Sequence, residues 1–174
     1  MTIRPASMAD LKEMDSLRRR NQEAVGFIPL SRYEDEIERS PTQVLTGWEN
    51  GDMVAYLYWT RGIPVAPIQQ LVVREDARRR DRGTAMVDAA IEHMLLDPRR
   101  YGATCRCRVD LEAVDFWQAC GFKAVRLEES GRRGPCMRFF KELRPALFGL
   151  GLYLPFPTNL QSQRRGFRYT GVRD

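Results

Sequence analysis

QQLVVREDARRRDRGTAMVDAAIEHMLL, residues Gln69 to Leu96, decides how the chain is read. It opens as an apolar, strand-like run and crosses an arginine-rich turn holding one glycine, Gly83. It continues as an amphipathic helix: Val87, Ile91 and Leu95 share a face with Met86, Ala90 and Met94 beside them, while Thr84, Asp88 and Glu92 lie opposite. Asp97-Pro98 stops that helix, since proline cannot continue it. A strand's end therefore feeds a helix N-terminus. The unpaired N–H groups of a first helical turn, together with the helix dipole, favour a phosphate or pyrophosphate at such a place.

Upstream, Ile3 to Ala6 reads as a short strand, and Ser7 with Asp10 forms a capping arrangement for a helix carrying Met8, Leu11, Met14 and Leu17, which ends in a solvated run, Arg18–Arg20. After the turn-like GFIPL, Ser31 with Glu34 repeats the capping signal for a second short helix reaching about Glu38. Val44–Trp48 and Met53–Thr60 are strands joined antiparallel through Glu49-Asn50-Gly51-Asp52, since Asn-Gly is a hairpin signal. Ala66–Val73 is the strand leading into the opening stretch. Downstream, the strand Thr104–Val109 passes through Asp110 into a helix near Glu112–Cys120 with Gly121 as its cap, and Phe122–Leu127 and Cys136–Phe140 are strands. Beyond Leu143 the composition shifts to Gly, Pro and aromatics. Residues 1–143 thus read as one domain and 144–174 as an extension, whose QRRGFRYTGVR interleaves arginine with Phe167 and Tyr169 as nucleic-acid-contacting tails do, or is an ordinary disordered terminus.

The chain's 174 residues with a hydrophobic fraction of 43% suit one globular domain with a proper core. No apolar run approaches the roughly 20 residues of a membrane span, and the first residues lack a signal-peptide pattern, so no membrane partner and a cytoplasmic location are expected. Cys105, Cys107, Cys120 and Cys136 show no CxxC spacing, and two of them alternate within a strand, which suits packed thiols and no metal. Of 28 basic residues only Lys12, Lys123 and Lys141 are lysine, so the net charge of +5 is carried by arginine. Arginine clusters at Arg18–Arg20, Arg78–Arg82 and Arg164–Arg168 fit a nucleic-acid partner, because arginine holds phosphate bidentately; codon bias in a GC-rich genome would enrich arginine equally.

The element order is a mixed, mostly antiparallel α/β sheet with a central βαβ unit, and it resembles the GNAT fold of N-acetyltransferases. Two motifs sharpen the resemblance. Residues Val73 to Ala85 align with that family's acyl-CoA pyrophosphate loop, Arg/Gln-x-x-Gly-x-Gly/Ala, which implies Val73, Arg78, Arg79, Arg80, Arg82, Gly83, Thr84 and Ala85 as the residues holding the donor, acetyl-CoA or another acyl-CoA. Asp110 to Phe122 is similar to the family's second motif, an Asn-x-x-Ala-x-x-x-Tyr helix ending in Gly-Phe. Asp81 departs from the first motif by placing a carboxylate where the loop has a glycine. Asp110 replaces the asparagine, and Trp117 replaces the tyrosine that commonly protonates the departing thiolate, a task indole cannot do. The DLEAxxFWxAxGF helix after a CRCR strand further resembles the Mom-like proteins of bacteriophages, which modify adenine in DNA to a carbamoylmethyl derivative and protect it from restriction; that resemblance implies DNA as partner, a small-molecule donor and, for a phage protein, the bacterial host's cytoplasm.

Transfer to an amine needs a base, a positioned electrophile and stabilisation of developing charge. Asp110, just past a strand's end, is the first candidate base, with N-capping of the next helix as its structural alternative. Tyr33 and Tyr56 are candidates for proton transfer, and Trp117 and Tyr58 for the wall of a substrate pocket, with plain packing as the alternative for each. Three expectations follow: a base-modifying transferase acting on DNA, an acyl-CoA-dependent N-acetyltransferase for a small amine or a protein, or a GNAT-fold domain that binds nucleic acid without catalysis. A homodimer through the sheet is compatible with each.

Overall fold

Asn50 and Gly51 both take positive φ, 51° and 87°, the turn conformation that matches the twist of two antiparallel strands. They join β2 (Val44–Glu49) to β3 (Asp52–Trp59), with Glu49 opposite Asp52. The computed structural model describes residues 1–129 and 134–145. In it β1 (Thr2–Pro5), β4 (Val65–Val73), β5 (Gly102–Arg108), β6 (Lys123–Glu128) and β7 (Cys136–Glu142) complete one seven-stranded sheet in the order β1-β2-β3-β4-β5-β7-β6. Every neighbouring pair is antiparallel except β4 with β5, the pair joined by the crossover helix.

Helices lie on both faces. On one, α4 (Arg82–Leu95) and α5 (Ala113–Ala119) bring Met86, Val87, Ala90, Met94 and Trp117 against Leu45, Leu57, Ile68, Ala103 and Phe139. On the other, α1 (Leu11–Arg20) and α3 (Leu30–Arg39), flanking the single turn α2 (Gln22–Val25), pack Met14, Leu17, Tyr33 and Ile37 on Val44, Tyr56, Tyr58 and Val72.

Three local expectations change. Ser7 and Asp10 do form a capping box, but around a 3-10 turn, Met8–Asp10, that leaves Met8 outside the core. Ser31 does not cap α3: Arg32 N–H already bonds to Pro29 O, so the helix has begun one residue before that serine. Arg18 is not solvated but 6% exposed, fixed by Asp15 and stacked over Phe27. The first residue of the expected extension, Arg144, is anchored on the domain through the Asp97 carbonyl and the Leu95 carbonyl at the end of α4; Arg164–Arg168, Phe167 and Tyr169 lie outside the described residues.

One departure from a regular sheet shapes everything functional. β4 and β5 pair only from Val65 to Ile68 and from Gly102 to Cys105. Beyond that, β4 stays bonded to β3 as far as Val73 and β5 to β7 as far as Arg108, so the two strands part within the sheet. At the parting point β4 carries an extra residue, Gln69, between Ile68 opposite Trp59 and Gln70 opposite Tyr58. Such a bulge bends its strand and re-aims side chains. Ile68 therefore packs toward α4, while Gln70 points to the α1–α3 side.

Candidate functional site

The parted strands enclose a cleft of about 940 Å³ that runs through the sheet. Ala24 and Val25 of α2 stand at one mouth; Asp81 to Thr84, where α4 begins, and Phe116 of α5 stand at the other. Along it β4 has no strand neighbour on the β5 side after Ile68, which leaves an open backbone edge between the mouths.

The α4 mouth is built by the arginine-rich turn. Arg79 and Asp81 both adopt left-handed φ, 59° and 56°, and reverse the chain from β4 into the helix. The first helical bond runs from Ala85 N–H to Asp81 O, and no side chain caps the helix, so the N–H groups of Arg82, Gly83 and Thr84 stand ahead of it at the cleft. The Asp81 carboxylate therefore does not occupy the donors that its place in the sequence would let it block. Gly83 serves packing as well: a Cβ there would lie 2.9 Å from Cε2 of Phe116, so glycine lets α4 and α5 close together.

Of the expected donor residues, Val73, Arg78, Arg79, Arg82, Gly83 and Thr84 line the cleft. Arg80 and Ala85 do not: Arg80 is exposed, without a hydrogen bond or ion pair among the described residues, and the N–H of Ala85 is committed to the helix. Arg78 donates to Val73 O (3.2 Å) and Asn21 Oδ1 (2.6 Å), tying β4 to the end of α1. Arg79 meets Glu112 at 3.2 Å, and Arg82 forks onto Glu49 at 2.8 and 2.5 Å. The guanidinium of Arg82 holds the Glu49 carboxyl below its usual range.

The expected proton-transfer tyrosines are a correction. Tyr33 and Tyr56 are 1% and 0% exposed, lie on the α1–α3 side of the sheet and do not line the cleft; both hydroxyls donate to Gln70 Oε1. Burial pushes the Tyr33 phenol up to about 12 and the Tyr56 phenol further. Neither titrates near neutrality. Tyr58, expected in a pocket wall, is buried and accepts from Arg32 Nε. Asp110 is corrected as well: it neither lines the cleft nor caps α5, whose N-cap is Glu112, but pairs with Arg108, which lowers its pKa and makes it a weak base. Trp117 does stand in the cleft wall, edge-on to Phe116 and Phe122.

Gln70 escaped the sequence reading. It is 3% exposed, lines the cleft, accepts from both tyrosines and donates through Nε2 to Val25 O (3.1 Å) and Gly26 O (3.2 Å), fastening the α2 mouth to β4. Its signal was a pair of adjacent amides, Gln69 and Gln70, within an apolar strand, of which alternation puts one on each face. Cys105 and Cys107 also line the cleft; burial pushes both thiols up, Cys107 to about 11, so they stay protonated and unreactive at neutral pH. Among the described residues no three His, Cys, Asp or Glu side chains gather to hold a metal ion, and no helix is long and apolar enough to cross a membrane.

Residues 10–122 match the sequence profile of the Acetyltransferase (GNAT) family. No curated protein matches the chain by sequence. Among solved structures, Ard1 from Thermoplasma volcanium superposes with a TM-score of 0.68 at 19% identity over 81% of this chain and 96% of its own. A ribosomal-protein-alanine N-acetyltransferase from Brucella melitensis gives 0.67 at 16% identity over 82% and 99%. An acetyltransferase of the GNAT family from Streptococcus pneumoniae gives 0.68 at 16% over 81% and 98%. At these identities the likeness concerns the fold.

Proposed function

The chain belongs to the acetyltransferase (GNAT) family, and from that premise we propose that it transfers an acyl group from acyl-CoA to an amine nitrogen carried by a peptide or a small molecule. The observation that supports this is the two-mouthed cleft: uncapped helix N–H groups ringed by arginines at one mouth, an open strand edge between, and a second entrance beside α2. The N–H groups of Arg82, Gly83 and Thr84, with Arg78 and Arg79 near them, fit a pyrophosphate. The unpaired edge of β4 fits a chain of amides lying along it. Acyl-CoA, when bound, supplies the thioester electrophile. The amine attacks its carbonyl carbon, the C–N bond forms, the C–S bond breaks, and the amine's surplus proton leaves to solvent or to the departing thiolate. Protonated Cys105 and Cys107 exclude themselves as acyl carriers, which favours direct transfer.

Titration of the protein with acetyl-CoA in a calorimeter, followed by thiol release with amine acceptors, tests this reading; absence of binding by folded protein overturns it. Asp81→Gly is expected to tighten acetyl-CoA binding about three- to tenfold, since it removes a carboxylate from the anion's surroundings and suits the left-handed φ of 56°. Unchanged affinity would show that the carboxylate plays no part there.

The narrower reading is modification of the exocyclic amine of adenine in DNA, as in the Mom-like phage proteins. Asp81, Trp117 and the arginine-borne net charge of +5 favour it; the N-acetyltransferase activity named for the Brucella neighbour favours the broader one. Digesting DNA from bacteria that express the protein and weighing the nucleosides separates the two.

A further inference from the structure

The CRCR strand puts its cysteines on the α4–α5 side and its arginines on the other, by strand alternation. On that other side the sheet carries an arginine row. Arg106 on β5 stands directly opposite Arg138 on β7, and Arg138 directly opposite Arg126 on β6. Like charges facing each other on neighbouring strands are destabilising, so sheet stability argues against this row. Among the described residues one carboxylate serves all three: Glu128 lies 2.9 Å from Arg106 Nε in an ion pair and accepts from Arg126 Nη2 at 2.5 Å and Arg138 Nε at 2.6 Å, and its pKa is held to about 2. Three guanidiniums on one glutamate leave unmatched charge, and Arg106 and Arg126 remain 51% and 61% exposed. Arg108, two residues along β5 from Arg106, is not part of this surplus: its guanidinium is paired with Asp110 and donates to Glu23 O at 3.1 Å at the cleft's α2 mouth. Arg106 itself lines the cleft.

We propose that this face receives the acceptor, and that the acceptor is a peptide whose residues after its reactive amine are acidic. This rests on the acyl-transfer reading above. The row is continuous with the cleft through Arg106 on the side away from the mouth at α4, so a chain whose amine lies between β4 and β5 leaves over Arg106 toward Arg138 and Arg126. Carboxylates on that chain meet the exposed guanidiniums of Arg106 and Arg126, which share Glu128 with Arg138 and so keep charge to offer. β5, β6 and β7 present no exposed aromatic ring beside these arginines, their only rings, Phe139 and Phe140, being buried, so the face lacks the stacking platform that single-stranded nucleic acid uses.

The test uses two octapeptides with free α-amines, one alternating aspartate with alanine after its first residue and one with asparagine in place of aspartate. Binding is followed through a C-terminal fluorophore and transfer through thiol release from acetyl-CoA. The acidic peptide is expected to bind and react about five- to tenfold better, with the advantage falling as salt rises. Arg126→Gln with Arg138→Gln should bring binding and turnover of the acidic peptide down to those of the asparagine peptide in the same variant. Glu128→Gln, which frees three guanidiniums, should increase the preference for the acidic peptide. A purely structural network would instead lower the melting temperature of both variants and leave the preference untouched. Equal binding and turnover of the two peptides overturns the acidic acceptor while acyl transfer stands. Selective, arginine-dependent binding without turnover overturns acyl transfer and keeps the surface. A short DNA duplex that displaces the acidic peptide at lower concentration than the peptide itself overturns the peptide assignment in favour of a nucleic acid.

Discussion

Gln70→Leu is expected to cost the fold roughly 3–5 kcal/mol and to weaken acceptor binding well before it affects the donor. Leucine nearly matches glutamine in volume, so the effect is one of polarity. The substitution leaves four groups unmatched at once: the hydroxyls of Tyr33 and Tyr56, and the carbonyls of Val25 and Gly26. Each buried polar group without a partner costs about 1–3 kcal/mol, and partial relaxation of α2 keeps the total below the sum. The loss also frees α2 from β4 at the point where β4 leaves β5, so the acceptor mouth widens and KM for the amine rises, whereas the N-terminus of α4 keeps its geometry. Urea unfolding and initial rates check the two halves separately. Adding Tyr33→Phe and Tyr56→Phe to Gln70→Leu should cost no more than Gln70→Leu alone, since removing both partners of a buried hydrogen bond is cheaper than removing one. A change below about 1 kcal/mol for Gln70→Leu would mean that the amide is not the anchor of this network.

Gln70 also shows where the sequence stops being legible. Strand existence, the Asn50–Gly51 hairpin and the helix after the arginine turn were readable because each rests on local periodicity or local turn chemistry. The bulge at Gln69 is not local. It reverses the alternation between Ile68 and Gln70, so the face of the one functional amide in β4 depends on how β3 pairs with it. Asp110 illustrates a second limit. Its place after a strand marked it as a candidate base, but Arg108, two residues before it, claims the carboxylate through a bidentate contact that spacing alone did not show. The tyrosines illustrate a third, since hydroxyls that converge on one buried amide look the same in sequence as hydroxyls in a pocket. The arginine turn is local by comparison: a helix start is backbone chemistry, so the sequence places the N-terminus of α4 at the cleft, although Arg80 and Ala85 do not line it.

Stability should fall steeply above about pH 9, and this sets the alkaline limit of any activity. Burial raises the pKa of Cys105, Cys107, Cys120, Tyr33, Tyr56 and Tyr58. An acid whose folded pKa lies above its unfolded one stays protonated in the native state while the unfolded chain releases its proton. The stability it confers is complete below the unfolded pKa and is lost as pH climbs toward the folded value. Cys107, at about 11 against an ordinary 9.0, costs about 2 kcal/mol by pH 11, and Tyr33, at about 12 against 10.0, about 1 kcal/mol. Four further groups act in the same direction, against a typical total stability of about 5–15 kcal/mol. Arginine, which carries most of the positive charge, keeps it throughout. Transfer to an amine accelerates with pH as the acceptor loses its proton, so the rate should rise and then break off where the protein unfolds, not where a catalytic group titrates. Urea midpoints measured from pH 8 to 11, beside the rate at each pH, separate the two. Cys105→Ala with Cys107→Ala should flatten the fall in midpoint and carry the rate limit upward with it. A midpoint constant to pH 11 would show that these thiols and phenols are not buried as described.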